Sequence, residues 1–115
     1  MLKKQYRLKN TFAFNATYNH HHIISDSNVC IYLGKEKTDF SLKTRFAFVV
    51  SKKIHKRAVV RNRIKRLMRE TIRLAIKNNE LNNINNYISL IFVAKHNSIS
   101  ASFSEIKASI YNAIT

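Results

Sequence analysis

The 115-residue sequence contains no proline, a single glycine (Gly34) and a single cysteine (Cys30). Its turns must therefore rely on asparagine, aspartate and serine, as in the stretch from Asn78 to Asn86. A lone cysteine excludes an intramolecular disulfide and suits a reducing, cytoplasmic setting, with Cys30 read as a small buried hydrophobe in a strand-like run. No stretch approaches the ~20 apolar residues of a membrane-spanning helix. Lys3 and Lys4 are followed by Gln5, Tyr6 and Arg7, where the apolar part of a secretory signal would begin, so no such signal is expected. No internal repeat is visible.

Acidic residues are also scarce. The six of them (Asp26, Glu36, Asp39, Glu70, Glu80, Glu105) are scattered, whereas a protein nuclease using two metal ions needs carboxylates clustered to hold them about 4 Å apart. Among the histidines, the consecutive His20, His21 and His22 point in different directions on either helix or strand, and His55 and His96 have no nearby partner in the sequence. The triplet reads as solvated loop, with weak adventitious metal binding as its alternative. Neither a catalytic residue nor a metal ligand is expected.

Positive charge is what the chain has in excess: 21 Lys and Arg against 6 Asp and Glu, a formal net charge of +15 and an isoelectric point near 10.4. Such a field favours a polyanionic partner. Nucleic acid is preferred to a membrane surface, because a membrane binder would present an exposed apolar face opposite its basic residues, and the apolar faces here are needed for a core. With 45% hydrophobic residues, the whole chain, 1–115, is expected to form one nucleic-acid-binding domain.

Asn10 or Thr11 can cap a helix from about Phe12 to Asn19, with Phe14 and Tyr18 on one face. His20 to Asn28 reads as a loop. Val29 to Leu33 and Arg45 to Ser51 are strand-like, and antiparallel pairing of the two is the simplest arrangement. A long helix from about Arg57 to Lys77 carries Val60, Ile64, Leu67, Thr71, Leu74 and Ala75 at steps of three and four. The near-continuous apolar run within Tyr87 to Ala94 marks a central strand. Ser102 and Glu105 form a capping box that opens a last helix lined by Phe103, Ile106, Ile110 and Ile114. The order read from the residues is α, β, β, α, β, α, with room for another short strand before or after the first: a sheet with helices packed against it.

Eleven of the 21 basic residues lie between Lys52 and Lys77, with Glu70 the one acid in that span. At about 100° per residue, Arg61, Lys65, Arg66, Arg69 and Arg73 fan across the face opposite the apolar stripe. A solvated face ordinarily alternates charge, whereas Arg57, Arg61, Lys65 and Arg69 repel one another at four-residue steps, which points to an external anion. Arginine prevails within the helix, and its planar fork grips phosphate in two places or stacks on a base. Asn62 suits either a base edge or ribose, or a local backbone cap.

Ser51-Lys52-Lys53-Ile54, followed by the unbroken run Ala58-Val59-Val60-Arg61-Asn62-Arg63-Ile64-Lys65-Arg66-Leu67-Met68-Arg69-Glu70, closely resembles the RNR signature of the bacterial ribonuclease P protein subunit. The resemblance extends more weakly over Arg7-Leu8-Lys9, Phe14, Tyr18, the strand containing Tyr32, and the late strand and helix. Where many family members have a glycine after the Ser-Lys-Lys-hydrophobic unit, this chain has His55-Lys56-Arg57.

The resemblance implies a two-layer α/β (α+β) sandwich of order αβββαβα, with a sheet of about four strands and a left-handed crossover, a fold shared with a domain of a small-subunit ribosomal protein. The usual handedness rule would give the opposite crossover. It implies contact with the catalytic RNA through Lys52, Lys53, Arg57, Arg61, Asn62, Arg63, Lys65, Arg66 and Arg69, although Arg63 points toward the edge of the apolar stripe and can instead support the fold or a bound ion. It implies binding of the single-stranded 5′ leader of precursor tRNA by Phe14, Tyr18 and Tyr32, although spacing alone favours ordinary helix-to-sheet core for Phe14 and Tyr18 and sets Tyr32 with Cys30 on the strand face opposite Val29, Ile31 and Leu33.

By the same resemblance the chain is part of a holoenzyme whose RNA performs the hydrolysis. Its partners are ribonuclease P RNA and precursor tRNA, in a 1:1 complex of a monomer with the RNA. Mg²⁺ is held mainly by RNA and none is bound tightly by the protein. Two rivals remain: a ribosomal or assembly protein that binds structured RNA without an enzyme attached, and a DNA regulator with its basic helix in a groove. The second is disfavoured because strands flank the helix and no dimerising heptads follow.

Overall fold

In the computed structural model, residues 2–20 and 22–114 are described, apart from the side chains of Asn82, Asn83 and Ile114. The elements are α1 (Thr11–Asn19), β1 (His22–Ser25), β2 (Val29–Leu33), β3 (Arg45–Val49), α2 (Ala58–Lys77), β4 (Ser89–Ala94) and α3 (Phe103–Ile114), with short 3₁₀ turns at Lys4–Tyr6, Asn82–Asn86 and His96–Ile99. The order αβββαβα is the one the resemblance implies.

The sheet runs β1-β2-β4-β3. Its β4 is central as expected, antiparallel to β2 and parallel to β3. The expected direct pairing of β2 with β3 is wrong. Both are short strands with one strongly apolar face, and the more hydrophobic β4, buried at five of its six positions, inserts between them. A second correction concerns His20 to Asn28, which is not all loop. His22–Ser25 pairs with β2 along its whole length, but this edge strand is mostly exposed and so lacks the alternation that reveals a strand in sequence. His22 stacks edge-on against Tyr87 at 5.6 Å; His21 lies outside the described residues.

Alternation along β2 buries Val29, Ile31 and Leu33 and leaves Cys30 and Tyr32 half-buried on the other face. The first set joins Leu90 and Phe92 of β4, Phe46 of β3, Ile64, Met68 and Ile72 of α2, and Ile106 and Ile110 of α3 in one core. Helices α2 and α3 therefore cover one face of the sheet. The core line of α2 is Ile64, Met68, Thr71, Ile72 and Ala75; Leu67 and Val60, expected in it, pack half-buried at its margin, because a stripe drawn from steps of three and four leaves its exact centre open.

Three local devices set the helices. Asn10 caps α1, its side chain accepting from Ala13 N at 3.2 Å. At the end of α2 a Schellman turn forms, with Glu80 N donating to Ala75 O at 2.8 Å and Asn79 N to Ile76 O at 3.2 Å. Asn79 takes the left-handed conformation there, φ 55°, in the place a glycine usually fills. The capping box of α3 is reciprocal: Ser102 N donates to Glu105 Oε1 at 3.1 Å and Glu105 N to Ser102 Oγ at 3.2 Å. Ile106 and Ile110 of α3 are buried, whereas the Ile114 side chain is outside the described set.

Candidate RNA interface

Helix α1 packs across the sheet face that α2 and α3 leave open. Thr17 of α1 meets Ser89 of β4, Oγ1 to Oγ 2.6 Å, and Tyr18 meets Tyr32 of β2 with ring centroids 4.6 Å apart and the planes at 66°. Phe14 continues this chain of rings, edge-on to Tyr18 at 5.0 Å. The strand registers put Cys30, Tyr32, Ile91, Val93, Ala47 and Val49 on the same side. Most of these are half-buried, so α1 forms one wall of an open apolar trough rather than a lid. The three aromatic residues singled out in the sequence are thus brought together, and they line a surface rather than the main core.

The floor of the trough is electrically neutral. Burial, then Tyr32 and Cys30, raises the Tyr18 phenol, and burial raises the Cys30 thiol against the opposing pull of Lys95. A neutral floor of ring faces and edges suits stacking of unpaired bases. Lys95 extends the alternation of Val93 at one end of the trough and donates to Ser25 Oγ. Sequence reasoning missed it, although a period of two counted on from Val93 would have placed it there.

The second surface begins at the same end of the sheet, where β3 and β4 finish and α2 starts. Lys52, Lys53, Arg57, Asn62, Arg66 and Arg69 are exposed and Lys65 is half-buried. Among the described residues none of these seven side chains makes a hydrogen bond or ion pair within the chain. Seven groups on one flank, six of them cationic, are free to meet phosphate.

Arg61 and Arg63 are placed differently. Arg61 Nη1 donates to His55 O at 3.0 Å and Lys56 O at 2.6 Å, and His55 Nδ1 accepts from Arg57 N at 3.1 Å. These bonds shape the loop into α2 without a glycine. Arg63 Nη2 donates to Ala101 O at 3.1 Å, tying α2 to the segment before α3, which is the fold-supporting role its position at the stripe's edge allows. Arg73 is held by Glu70 through two bonds of 3.0 and 2.5 Å. The expected fan of free cations therefore excludes Arg73 and is only partly free at Arg61.

A family model described as Ribonuclease P matches residues 2–115. The chain belongs to the ribonuclease P protein family. The ribonuclease P protein component of Clostridium kluyveri is 35% identical over 109 residues, covering 95% of this chain and 91% of that protein. The corresponding component of Fusobacterium nucleatum is 42% identical over 88 residues, 76% of this chain and 71% of that one. The fold is that of the RNase P protein from Staphylococcus aureus, with a TM-score of 0.71 at 23% identity over 94% of this chain and 91% of the other. The RNase P protein from Thermotoga maritima matches with a TM-score of 0.75 at 18% identity over 94% of each chain. As a member of this family the chain has a role in the ribonuclease P holoenzyme and an RNA partner. Among the described residues no helix is long and apolar enough to cross a membrane.

Proposed function

We propose that the chain is the protein subunit of a cytoplasmic ribonuclease P, acting on two RNAs at once. The free cations at the start of α2, with Lys52 and Lys53, bind the catalytic RNA; the trough of Phe14, Tyr18 and Tyr32 binds the unpaired 5′ leader of precursor tRNA. The observation that carries this reading is that the trough runs, past Cys30 and Val93, to the end of the sheet at which β3 finishes and the chain leads into the cations of α2.

In this reading the RNA performs the hydrolysis and holds the Mg²⁺ ions through its phosphates. Among the described residues no three His, Cys, Asp or Glu side chains gather into a site for a metal ion, so no step is assigned to an ion held by the protein. The protein contributes counter-charge, which lets two phosphate backbones approach, and stacking, which favours precursor over mature tRNA. Because stacking on aromatic rings makes little demand on which base is present, leader binding is tolerant of sequence. A 1:1 complex of one monomer with the RNA provides both surfaces.

The test is equilibrium binding of the holoenzyme to precursor tRNA and to the same tRNA without its leader. The protein is expected to strengthen binding of the leader-bearing substrate selectively. Equal strengthening of both would leave the basic surface in place and remove the trough from the account.

A further inference from the structure

At the end of the sheet opposite the start of α2, a cavity of about 360 Å³ opens between the loop before β3 and the end of α2. Tyr6, Lys37, Lys43, Asn79 and Asn85 are among its lining residues. Lys37 is 6% exposed, a degree of burial lysine rarely shows without a partner of opposite charge. Among the described residues its Nζ donates only to Asn85 Oδ1, at a long 3.4 Å.

Among the described residues no carboxylate forms an ion pair with Lys37. Of the two acids in its loop, Glu36 and Asp39, neither pairs with it, and Asp39 is occupied by Ser41, accepting from Ser41 N at 3.0 Å and Ser41 Oγ at 2.6 Å. The neighbouring cation worsens the position of Lys37: Lys43 also lines the cavity, with its ammonium 5.6 Å from the centre of the Tyr6 ring. Burial first, and then the Lys43 charge, holds the Lys37 amine below the ordinary lysine value. The Asn85 side chain that accepts from Lys37 also lines the cavity and carries an NH₂ group as a donor.

We propose that this cavity is an anion site that takes a phosphate group, with the Lys37 ammonium at its base, Lys43 at its mouth and the Asn85 amide as a further donor. A phosphate would supply the missing counter-charge and the acceptors the ammonium lacks. The cavity shares no lining residue with the cations at the start of α2 or with Phe14, Tyr18 and Tyr32, and the site stands whether or not those bind as proposed. The phosphate comes from one of two sources, a free phosphate ion or the backbone of an RNA that wraps this end of the protein.

The experiment is amide NMR of the full chain titrated with inorganic phosphate at constant ionic strength, and separately with a short single-stranded RNA lacking terminal phosphates. The Lys37→Gln and Lys43→Gln variants and a double Arg66→Gln, Arg69→Gln variant are titrated in parallel. Saturable shifts at Lys37, Asn79 and Asn85 with inorganic phosphate identify a site for the free ion; shifts at these residues with the RNA alone identify a backbone site. Either should weaken about tenfold in Lys37→Gln, the loss expected for one charge-assisted hydrogen bond, and persist in the α2 double variant. Lys43→Gln, exposed and tolerant of change, should weaken it less and serves if Lys37→Gln does not fold. Absence of saturable shifts with both ligands, or their loss in the α2 variant alone, overturns the proposal.

Discussion

The hydroxyl groups of Thr17 and Ser89 lie 2.6 Å apart in the buried joint between α1 and the sheet, and only one of them can be the donor there. Thr17 Oγ1 already donates to Ala13 O at 2.8 Å, so its one proton is used and Ser89 donates to Thr17. Removing each partner should then have different costs. Ser89→Ala leaves Thr17 donating to Ala13 and should cost about 0.5–1.5 kcal/mol, whereas Thr17→Val strands a buried Ser89 hydroxyl and should cost about 1–3 kcal/mol. Urea unfolding checks the order. Because the joint positions the trough wall, Thr17→Val should also weaken leader binding while leaving affinity for the catalytic RNA unchanged.

Gly34 is part of the same joint. A Cβ there would run into the Ser89 hydroxyl and come within 3.1 Å of the Ser89 carbonyl, the group that accepts from Gly34 N at 2.8 Å. Gly34→Ala should therefore destabilise the fold by about 1–3 kcal/mol through overpacking, read as a lower urea midpoint with an unchanged slope.

Two arginines of the signature should separate cleanly. Arg66→Gln removes an exposed, unpaired cation, so it should lower affinity for the catalytic RNA and reduce the slope of log K against log salt by about 0.7–0.9, with no loss of stability. Arg63→Gln removes the bond to the carbonyl of Ala101, a residue only 3% exposed, and should lose about 1–3 kcal/mol of stability with a much smaller change in salt slope. Paired salt titrations and unfolding curves test both.

Much of this division was legible in the sequence, for identifiable reasons. The long unbroken RNR match and the density of cations marked the α2 surface, and alternation around Tyr32 placed it opposite Ile31, as the register confirms. What was not legible depends on contacts between residues distant in the chain. The pairing partner of β3, the edge strand at His22–Ser25, and the attachment of Arg61 to the His55 and Lys56 carbonyls all arise from tertiary geometry that has no period. The cavity at Lys37 gave no signal either, since an isolated lysine in a polar loop reads as solvated.

The acid limb of stability should trace in part to the α3 cap. Glu105 sits below its ordinary value of 4.5, chiefly through the Ser102 backbone N–H and then the Ser102 side chain. A carboxyl lowered on folding contributes stability above its unfolded value and loses that contribution as pH falls through the folded one. Stability should thus decline from about pH 4.5 downward. Glu105→Gln should flatten that decline, as seen in thermal unfolding across pH 3–6.

The trough predicts a change in preference rather than in chemistry. Tyr32→Ala and Tyr18→Ala should each weaken leader-bearing substrate by up to about 1–3 kcal/mol per stacked base lost and leave binding of leaderless tRNA unchanged, in parallel binding curves.

The central claim is that the chain assists a catalytic RNA and is not itself the nuclease. Cleavage of a precursor tRNA at low Mg²⁺ by the cognate ribonuclease P RNA, with the protein, without it, and with the protein alone, tests it most directly. The account predicts the mature 5′ end only when RNA and protein are combined. Cleavage by the protein alone, or RNA activity unchanged by the protein, would contradict it.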